Sequence, residues 1–321
     1  MASILIMGAG AVGSYYGGLL ARDGHDVALV TRGAHFEALR QTGVITIREP
    51  DGTVWTAPVS ASDHPQPGEF DLAIVTTKSH HTIEAAHVLR PILGPQTVVC
   101  TLQNGVENIA RLTAALPDNP ILGGLVFVGL TIDQPGTVTH LAEGRATIGD
   151  PTGAMPEALS RAVDIIGQSW ELSVSSDIAH AQWTKLLWNV GFNTICAITG
   201  ASAGDVLMTH ESAALVMRSM REAVALAHAH GITIPDSAIE EMAAFRPALQ
   251  HFLPSTAQDI AASKEPERDT ISGFIVREGR RLGIPTPIND VLDGLLALQS
   301  DRATGRSARA PLMTGAAGGA D

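Results

Sequence analysis

A lysine and two asparagines recur at helical spacing in the second half of the chain. Lys185, Asn189 and Asn193 stand four residues apart in an otherwise apolar segment. At about 100° per residue, this spacing places the three side chains along one face of a helix. Because each buried polar group without a partner costs on the order of 1 to 3 kcal/mol, the stripe should line a cleft. Burial would also lower the pKa of Lys185 towards neutrality, which suits a proton donor. The alternative is hydrogen bonding between helices or a salt bridge between domains.

A second candidate site is a glycine-rich turn near the start of the chain. It follows an apolar run at residues 3–7 and opens a predicted helix at residues 11–23. In this context the first glycine makes the turn, the second lets the backbone approach a pyrophosphate, and the third lets the helix pack on the strand. The start of the helix adds free N–H groups and a positive dipole. We therefore predict a dinucleotide site at Gly8, Ala9, Gly10, Ala11, Val12 and Gly13.

Basic residues follow two of the predicted strands. Arg32 stands about 20 residues after the glycine loop, where enzymes that use NAD usually carry an acidic residue for the ribose. A guanidinium can pair with a 2′-phosphate that an acid would repel, so Arg32 favours NADPH; the alternative is a solvated surface charge. Lys78 follows the third parallel strand, at the edge where ligands bind. It is either a phosphate or ribose ligand or an ordinary exposed lysine.

The elements that must position these residues alternate in the first half of the chain. Apolar runs alternating with helical segments are typical of an α/β, Rossmann-like doubly wound sheet. The predicted strands cover residues 3–7, 27–31, 71–76 and 97–101, and the predicted helices cover residues 11–23, 81–90 and 106–115. Pro-Asp-Gly and Pro-Gly turns predict two antiparallel hairpins, one joining residues 44–48 to 53–57 and the other joining residues 125–133 to 136–148.

From about residue 179 the sequence pattern changes to long segments with helical periodicity, which predicts an all-α second domain. The predicted helices there cover residues 179–198, 212–230, 238–244, 269–282 and 289–299. We divide the chain into an NADP-binding domain at residues 1–175 and a helical substrate and catalytic domain at residues 176–300. Residues 301–321 are rich in Ala, Gly and Ser, so we expect a disordered tail there.

Composition excludes several classes of partner. The 321 residues carry a formal net charge of −12, which argues against nucleic acid or an anionic membrane surface. Cys100 and Cys196 match no metal or redox spacing, and no other cluster has ligand spacing, so we predict no metal site. The apolar stretches fall short of the about 20 residues that a membrane helix needs. We expect a cytoplasmic protein. The sequence does not decide between a monomer and a homodimer.

The ordered motifs together resemble the ketopantoate reductases, also called 2-dehydropantoate 2-reductases. The resemblance runs from residue 3 to about residue 299. It implies NADPH-dependent reduction of a small 2-keto acid to an (R)-2-hydroxy acid, with ketopantoate in pantothenate biosynthesis as the best candidate. Beyond the glycine loop and the lysine stripe, it rests on Arg32-Gly33, Lys78, residues 101–105, Ser255 with Gln258-Asp259, Glu267 and residues 283–287.

The resemblance also implies a role for individual residues. Lys185 matches the catalytic lysine of the family, and Glu267 matches the acidic residue of its active site. Asn104 resembles an asparagine of the family that lies near the nicotinamide end of the cofactor. In the family this asparagine also faces the substrate. The cofactor set is therefore the glycine loop, Arg32, Lys78 and Asn104. The substrate set is Asn104, Asn189, Asn193, Ser255 and Ser272.

Two departures from the family pattern lie beside Glu267. Arg268 replaces an aliphatic residue, and Ser272 replaces an asparagine that usually helps to bind substrate or cofactor. They weaken the assignment to ketopantoate more than the assignment to 2-keto acid reduction. The alternatives are a D-2-hydroxyacid dehydrogenase of the mandelate type, a β-hydroxyacid dehydrogenase, and a non-catalytic NADP-binding sensor. The second fits less well because its usual motif before the lysine is missing, and the third should lack Lys185 and Glu267.

Overall fold

The computed structural model describes residues 1–306. A ten-stranded sheet fills the first half of the chain, in the order β4-β3-β9-β8-β7-β6-β1-β2-β5 with β10 beside β9. The strands are β1 Ser3–Met7, β2 Asp26–Val30, β3 Val44–Arg48, β4 Val54–Pro58, β5 Ser60–Ser62, β6 Leu72–Val75, β7 Val98–Thr101, β8 Ile121–Gln134, β9 Thr137–Gly149 and β10 Glu171–Val174.

Six strands form a parallel core within this sheet, in the order β5-β2-β1-β6-β7-β8. The central strands are apolar on both faces because both faces are covered: Leu5 packs into one hydrophobic layer and Ile4 into the other, and both are buried. The strand order reverses between β1 and β6, and ligands of doubly wound folds bind at such a switch point. The predicted fold class is confirmed.

Helices cover both faces of the sheet. On one face, α1 buries Tyr16 and Leu20 in the layer that contains Ile4. On the other face, Ala86 and Leu112 pack with Leu5. The helices of this half are α1 Ala11–Arg22, α2 Gly33–Thr42, α3 Thr82–Leu89, α4 Asn108–Ala115 and α5 Pro156–Ile166.

The two predicted hairpins are confirmed. Strands β3 and β4 pair antiparallel, and so do β8 and β9. Sequence reasoning missed β5, α2, α5 and β10. Strand β5 is the third strand of the Rossmann order, yet it holds only Ser60, Ala61 and Ser62. So short and polar a run carries no signal of a buried strand.

From residue 178 onwards the described chain is helical. The helices are α6 Ile178–Trp188, α7 Thr194–Thr199, α8 Ala203–Leu207, α9 His210–Ala229, α10 Asp236–Ala243, α11 Ser255–Ala261, α12 Ser272–Leu282 and α13 Pro287–Ala303. They share one apolar core, which includes Leu187, Phe192 and Met220. Among residues 1–306, the helices are too short or too polar to cross a membrane.

Three predicted boundaries need correction. The helix predicted at residues 179–198 is interrupted by a π-helical turn at Asn189–Asn193. The helix predicted at residues 269–282 begins only at Ser272, after a 3₁₀ turn at Arg268–Thr270. Helix α13 continues to Ala303, into the segment predicted as a tail, and the rest of that prediction from residue 307 lies outside the described residues. The division into domains at residue 175 stays a prediction.

Candidate active site

One cavity of about 700 Å³ brings together most of the predicted site residues. It lies at the carboxyl ends of the parallel strands, and helices α6 and α11 form its other wall. Twelve predicted residues line it: Gly8, Gly10, Ala11, Val12, Arg32, Lys78, Asn104, Lys185, Asn189, Asn193, Ser255 and Glu267. These residues come from distant parts of the sequence and meet at this cavity, which is therefore the candidate active site.

The glycine loop is shaped both by packing and by the cavity. A Cβ on Gly13 would lie 2.5 Å from Thr76 Oγ1, so only glycine lets α1 approach the sheet here. A Cβ on Gly10 would meet no atom of residues 1–306 within 4 Å, and its φ of −75° suits any residue. The protein itself does not require glycine at position 10. The bare backbone there, ahead of a helix start without a side-chain cap, fits the close approach of a pyrophosphate.

Arg32 lies at one end of the cavity, where β2 has ended and α2 begins. Its side chain is 70% exposed, and its nearest ionic partner, Glu84, is 3.8 Å away. An exposed ion pair of this kind contributes only about 0 to 1 kcal/mol. The guanidinium is therefore available to a phosphate group at this end of the cavity.

Lys78 forms an ion pair with a carboxylate on the other side of the cavity. Its Nζ lies 2.5 Å from Oδ2 of Asp259, which belongs to α11. Burial alone would lower the pKa of Lys78, but Glu267 and Asp259 outweigh burial and raise it. Lys78 thus stays charged and joins the sheet to the helical part across the cavity.

A chain of hydrogen bonds connects the predicted catalytic pair. Lys185 Nζ donates to Asn104 Oδ1 at 2.9 Å, and Asn104 Nδ2 donates to Glu267 Oε2 at 2.9 Å. The other carboxylate oxygen of Glu267 accepts from the backbone N–H of Ser79 at 2.9 Å and from its hydroxyl at 3.1 Å. Asn104 therefore stands between Lys185 and Glu267 and fixes both.

Burial sets the charge state of Lys185. Removal from water lowers the pKa of its ammonium group to about 8, although the negative charge of Glu267 opposes that shift. An ammonium group with a pKa near the working pH can donate a proton readily and be recharged from solvent. The geometry thus gives Lys185 the properties of a general acid.

The π-helical turn keeps the polar stripe on one line. Four residues of an α-helix overshoot a full turn by about 40°. Four residues of a π turn, at about 4.4 residues per turn, fall about 30° short of one. The drift from Lys185 to Asn189 is therefore largely reversed between Asn189 and Asn193, and all three side chains line the same cavity.

The polar side chains beside Lys185 differ in how many hydrogen bonds they already make within the protein. Asn189 is 4% exposed, and its side-chain amide has no hydrogen-bond partner among residues 1–306. Asn193 Nδ2 donates to Ser255 Oγ and to Thr256 Oγ1, each at 3.3 Å. Ser255 only accepts in that contact, and within the described part of the chain its own O–H has no acceptor, so it can donate to a ligand. Asn189 and Ser255 can therefore bind an anionic group in the cavity.

Three predicted residues do not line the cavity. Ser272 is fully buried, and its hydroxyl donates to Asp293 Oδ1 at 2.8 Å, so the prediction that it binds substrate is corrected. Asp293 draws it away from the cavity, and Arg268 pairs with the same carboxylate. Ala9 is buried with its N–H on Val30 O, and Gly13 packs against Thr76. These two loop residues shape the turn without facing the cavity.

Sequence reasoning missed residues that complete the site. Ser79 anchors Glu267 through two hydrogen bonds. Its signal was its position, since it follows Lys78 at the carboxyl end of a buried strand. Trp188 and Phe127 also line the cavity, but aromatic residues in apolar segments carry no signal that separates a cavity wall from a core.

Comparison with protein families matches almost the whole chain. Residues 4–153 match the family model described as "Ketopantoate reductase PanE/ApbA", and residues 177–299 match its C-terminal counterpart. Among curated relatives, the 2-dehydropantoate 2-reductase of Mesorhizobium japonicum is 30% identical over 318 residues, covering 92% of this chain and 96% of that protein.

Solved structures of similar fold include reductases and a dehydrogenase. A PanE/ApbA family ketopantoate reductase from Ralstonia eutropha is 35% identical, with a TM-score of 0.85, covering 94% of this chain and 99% of that one. A D-mandelate dehydrogenase with NADH and anilino(oxo)acetate has a TM-score of 0.87, covering 94% of this chain and 99% of that one. At 23% identity, this second likeness concerns the fold alone.

Proposed function

This chain belongs to the ketopantoate reductase family, and on that premise we propose that it reduces a 2-keto acid to an (R)-2-hydroxy acid with NADPH. The observation that carries the proposal is the hydrogen-bonded series of Lys185, Asn104 and Glu267 in a cavity that also reaches the glycine loop. Ketopantoate is the first candidate substrate, because relatives that share most of the chain are named for it.

The residues around the glycine loop fit NADPH. The backbone from Gly8 to Val12 would hold the pyrophosphate, because the open face of Gly10 and the uncapped start of α1 provide space and N–H donors. Arg32 would pair with the 2′-phosphate. Lys78 and Asn104 would face the ribose and nicotinamide end of the cofactor. When bound, NADPH supplies the hydride for the keto carbon.

The chain's own residues orient the substrate and move the proton. Lys185 donates a proton from Nζ to the oxygen of the keto group as that oxygen gains negative charge. Asn104 holds Nζ in place, and Glu267 holds Asn104. Asn189 and Ser255 donate to the substrate carboxylate, and Asn193 fixes the position of Ser255. Orientation and local charge are thus the contributions of the protein.

A steady-state panel tests this proposal. Ketopantoate, pyruvate, oxaloacetate, a branched 2-keto acid and benzoylformate should be assayed with NADPH and with NADH, by the loss of cofactor absorbance. We expect turnover of at least one 2-keto acid, with kcat/KM for NADPH about 10-fold or more above that for NADH. Tight NADPH binding with no turnover on the panel would favour an NADP-binding sensor instead.

Replacing Arg32 should change cofactor preference and little else. A charge-assisted hydrogen bond to phosphate contributes about 1.5 to 3 kcal/mol, so Arg32→Ala should raise KM for NADPH by about 10-fold to 100-fold. KM for NADH should stay within about threefold, because NADH lacks the 2′-phosphate. Arg40→Ala is the matched control, since Arg40 is also an exposed arginine of this region but pairs with Glu37. An equal rise in KM for both cofactors would contradict the role of Arg32.

We also propose a cytoplasmic location and a homodimer. Both cysteines, Cys100 and Cys196, are buried free thiols, as suits a reducing compartment. Helix α13 exposes Val291, Leu295 and Leu298 along one face, which would suit contact with a second copy.

A further inference from the structure

Three aromatic side chains, Trp188, Phe252 and Phe127, line the cavity beside the polar stripe. We call them the aromatic wall. Trp188 lies three residues after Lys185 on α6, so the two side chains share one face of that helix. The rings of Trp188 and Phe252 meet edge to face, with centroids 6.2 Å apart. The ring of Phe127 lies 5.7 Å from Lys185 Nζ. The wall therefore borders the position of the reacting carbonyl.

The free hydrogen-bond donors of the site match the reacting end of a 2-keto acid. Lys185 keeps N–H groups beyond the one given to Asn104, the amide of Asn189 is unengaged among residues 1–306, and Ser255 has a free O–H. A 2-keto acid presents three oxygens at that end, one on the carbonyl and two on the carboxylate. The three donors suffice for the carbonyl oxygen and the two carboxylate oxygens. With this end of the substrate held against the polar stripe, the substituent on the keto carbon must extend away from the stripe.

The aromatic wall would set the chemistry of that remaining part. Phenyl and indole faces offer apolar area and favourable contacts with other rings, worth about 0.5 to 1.5 kcal/mol per aromatic pair beyond area burial. Their faces offer no oxygen or nitrogen acceptor to a substrate hydroxyl. Trp188 is further fixed by stacking on Phe192 at 4.1 Å between centroids, so it forms a firm surface.

Resting on the proposed function, we propose that the aromatic wall selects 2-keto acids with an apolar, branched or aromatic substituent next to the keto carbon. A substrate hydroxyl on that substituent finds no acceptor on the ring faces of the wall, and the carboxylate of Glu267 in the same cavity is already engaged by Ser79 and Asn104. Trp188 and Phe252 are then specificity-determining residues of this reductase. The substrate class is thereby narrowed to bulky apolar 2-keto acids, with ketopantoate accepted for its dimethyl group rather than for its hydroxyl.

A pair of substrates that differ by one hydroxyl tests this inference. Ketopantoate and 3,3-dimethyl-2-oxobutanoate share a carbon skeleton, but only ketopantoate carries the C4 hydroxyl. A site built to bind a hydroxyl rejects the analogue without it by about 10⁴-fold, whereas an apolar pocket discriminates by about 10²-fold at most. We expect kcat/KM values within about 10-fold of each other, and benzoylformate about 10-fold or more above pyruvate.

A variant of the wall provides the second measurement. Phe252→Asn should lower kcat/KM for benzoylformate by about 10-fold to 100-fold, since it removes a buried apolar contact worth about 1.5 to 3 kcal/mol. Activity on pyruvate, whose methyl group offers the wall far less apolar area than a phenyl ring does, should fall by less than about threefold and reports that the variant is folded. Phe245→Asn is the matched control, because Phe245 is 50% exposed and does not line the cavity.

The outcomes separate this inference from the proposed function. A preference of more than about 100-fold for ketopantoate over its deoxy analogue would overturn the role of the wall and leave 2-keto acid reduction standing. An equal loss on benzoylformate and pyruvate in Phe252→Asn would also overturn it. Failure of every 2-keto acid with NADPH would overturn both proposals.

Discussion

Replacing Lys185 by alanine is expected to lower kcat by about 10³-fold, because general acid catalysis by a positioned side chain contributes about 10² to 10⁴. Lys185 Nζ is fixed by Asn104 inside the cavity, and its pKa of about 8 lets it donate a proton near neutral pH. KM for the 2-keto acid should rise less than kcat falls, because Asn189 and Ser255 remain to hold the carboxylate. Steady-state kinetics at saturating NADPH measures both values.

Two further measurements separate proton donation from a structural role of Lys185. Lys185→Arg keeps the positive charge but places a group that does not release its proton, so kcat should stay at least about 10²-fold below that of the native protein. Added methylammonium should partly restore turnover in Lys185→Ala, because the truncated side chain leaves room beside Asn104. Turnover of Lys185→Ala within about threefold of native would show that Lys185 is not the acid.

The site could be predicted from the sequence where a local pattern encodes it. The glycine loop and the lysine–asparagine stripe each lie within a dozen residues, so turn chemistry and helical periodicity predicted their place at one cavity. The hydrogen bond between Lys185 and Asn104 joins residues 81 apart, and the one between Ser79 and Glu267 joins residues 188 apart. Such contacts depend on the packing of the helices against the sheet, which no local pattern encodes.

The fold shows the same limit. Buried strands such as β1 and β6 were predicted because both of their faces are apolar, and the paired runs of each hairpin were predicted from their turns. Strand β5 was missed because its pairing with β2 through the backbone ladder needs no apolar run. The π turn was also missed, because periodicity of about 3.6 residues fits its sequence almost as well. Ser272 was misplaced because its direction is decided by a partner on α13, Asp293, which is distant in sequence.

Glu267 is, after Lys185, the second residue at which a substitution should strongly lower kcat, because its carboxylate accepts three hydrogen bonds. Its carboxylate accepts from Ser79 N–H, from Ser79 Oγ and from Asn104 Nδ2. In Glu267→Gln, one carboxylate oxygen becomes an NH₂ group that faces another donor, which leaves buried donors unpaired at a cost of about 1 to 3 kcal/mol. Asn104 should then release Lys185, and kcat should fall by about 10-fold to 100-fold.

The pH dependence of Glu267→Gln follows from the sign of the charge that is removed. The negative charge of Glu267 raises the pKa of Lys185, so its loss lets burial lower that pKa below about 8. Lys185 donates only as the ammonium form, which exists below its pKa. The alkaline limb of the kcat profile should therefore move to lower pH, as measured with NADPH at saturating 2-keto acid. Glu265→Gln is the matched control, because Glu265 is exposed and pairs with Arg306. An alkaline limb that stays in place or moves to higher pH would mean that Glu267 does not act on Lys185, and that only its hydrogen bonds to Ser79 and Asn104 explain the loss of rate.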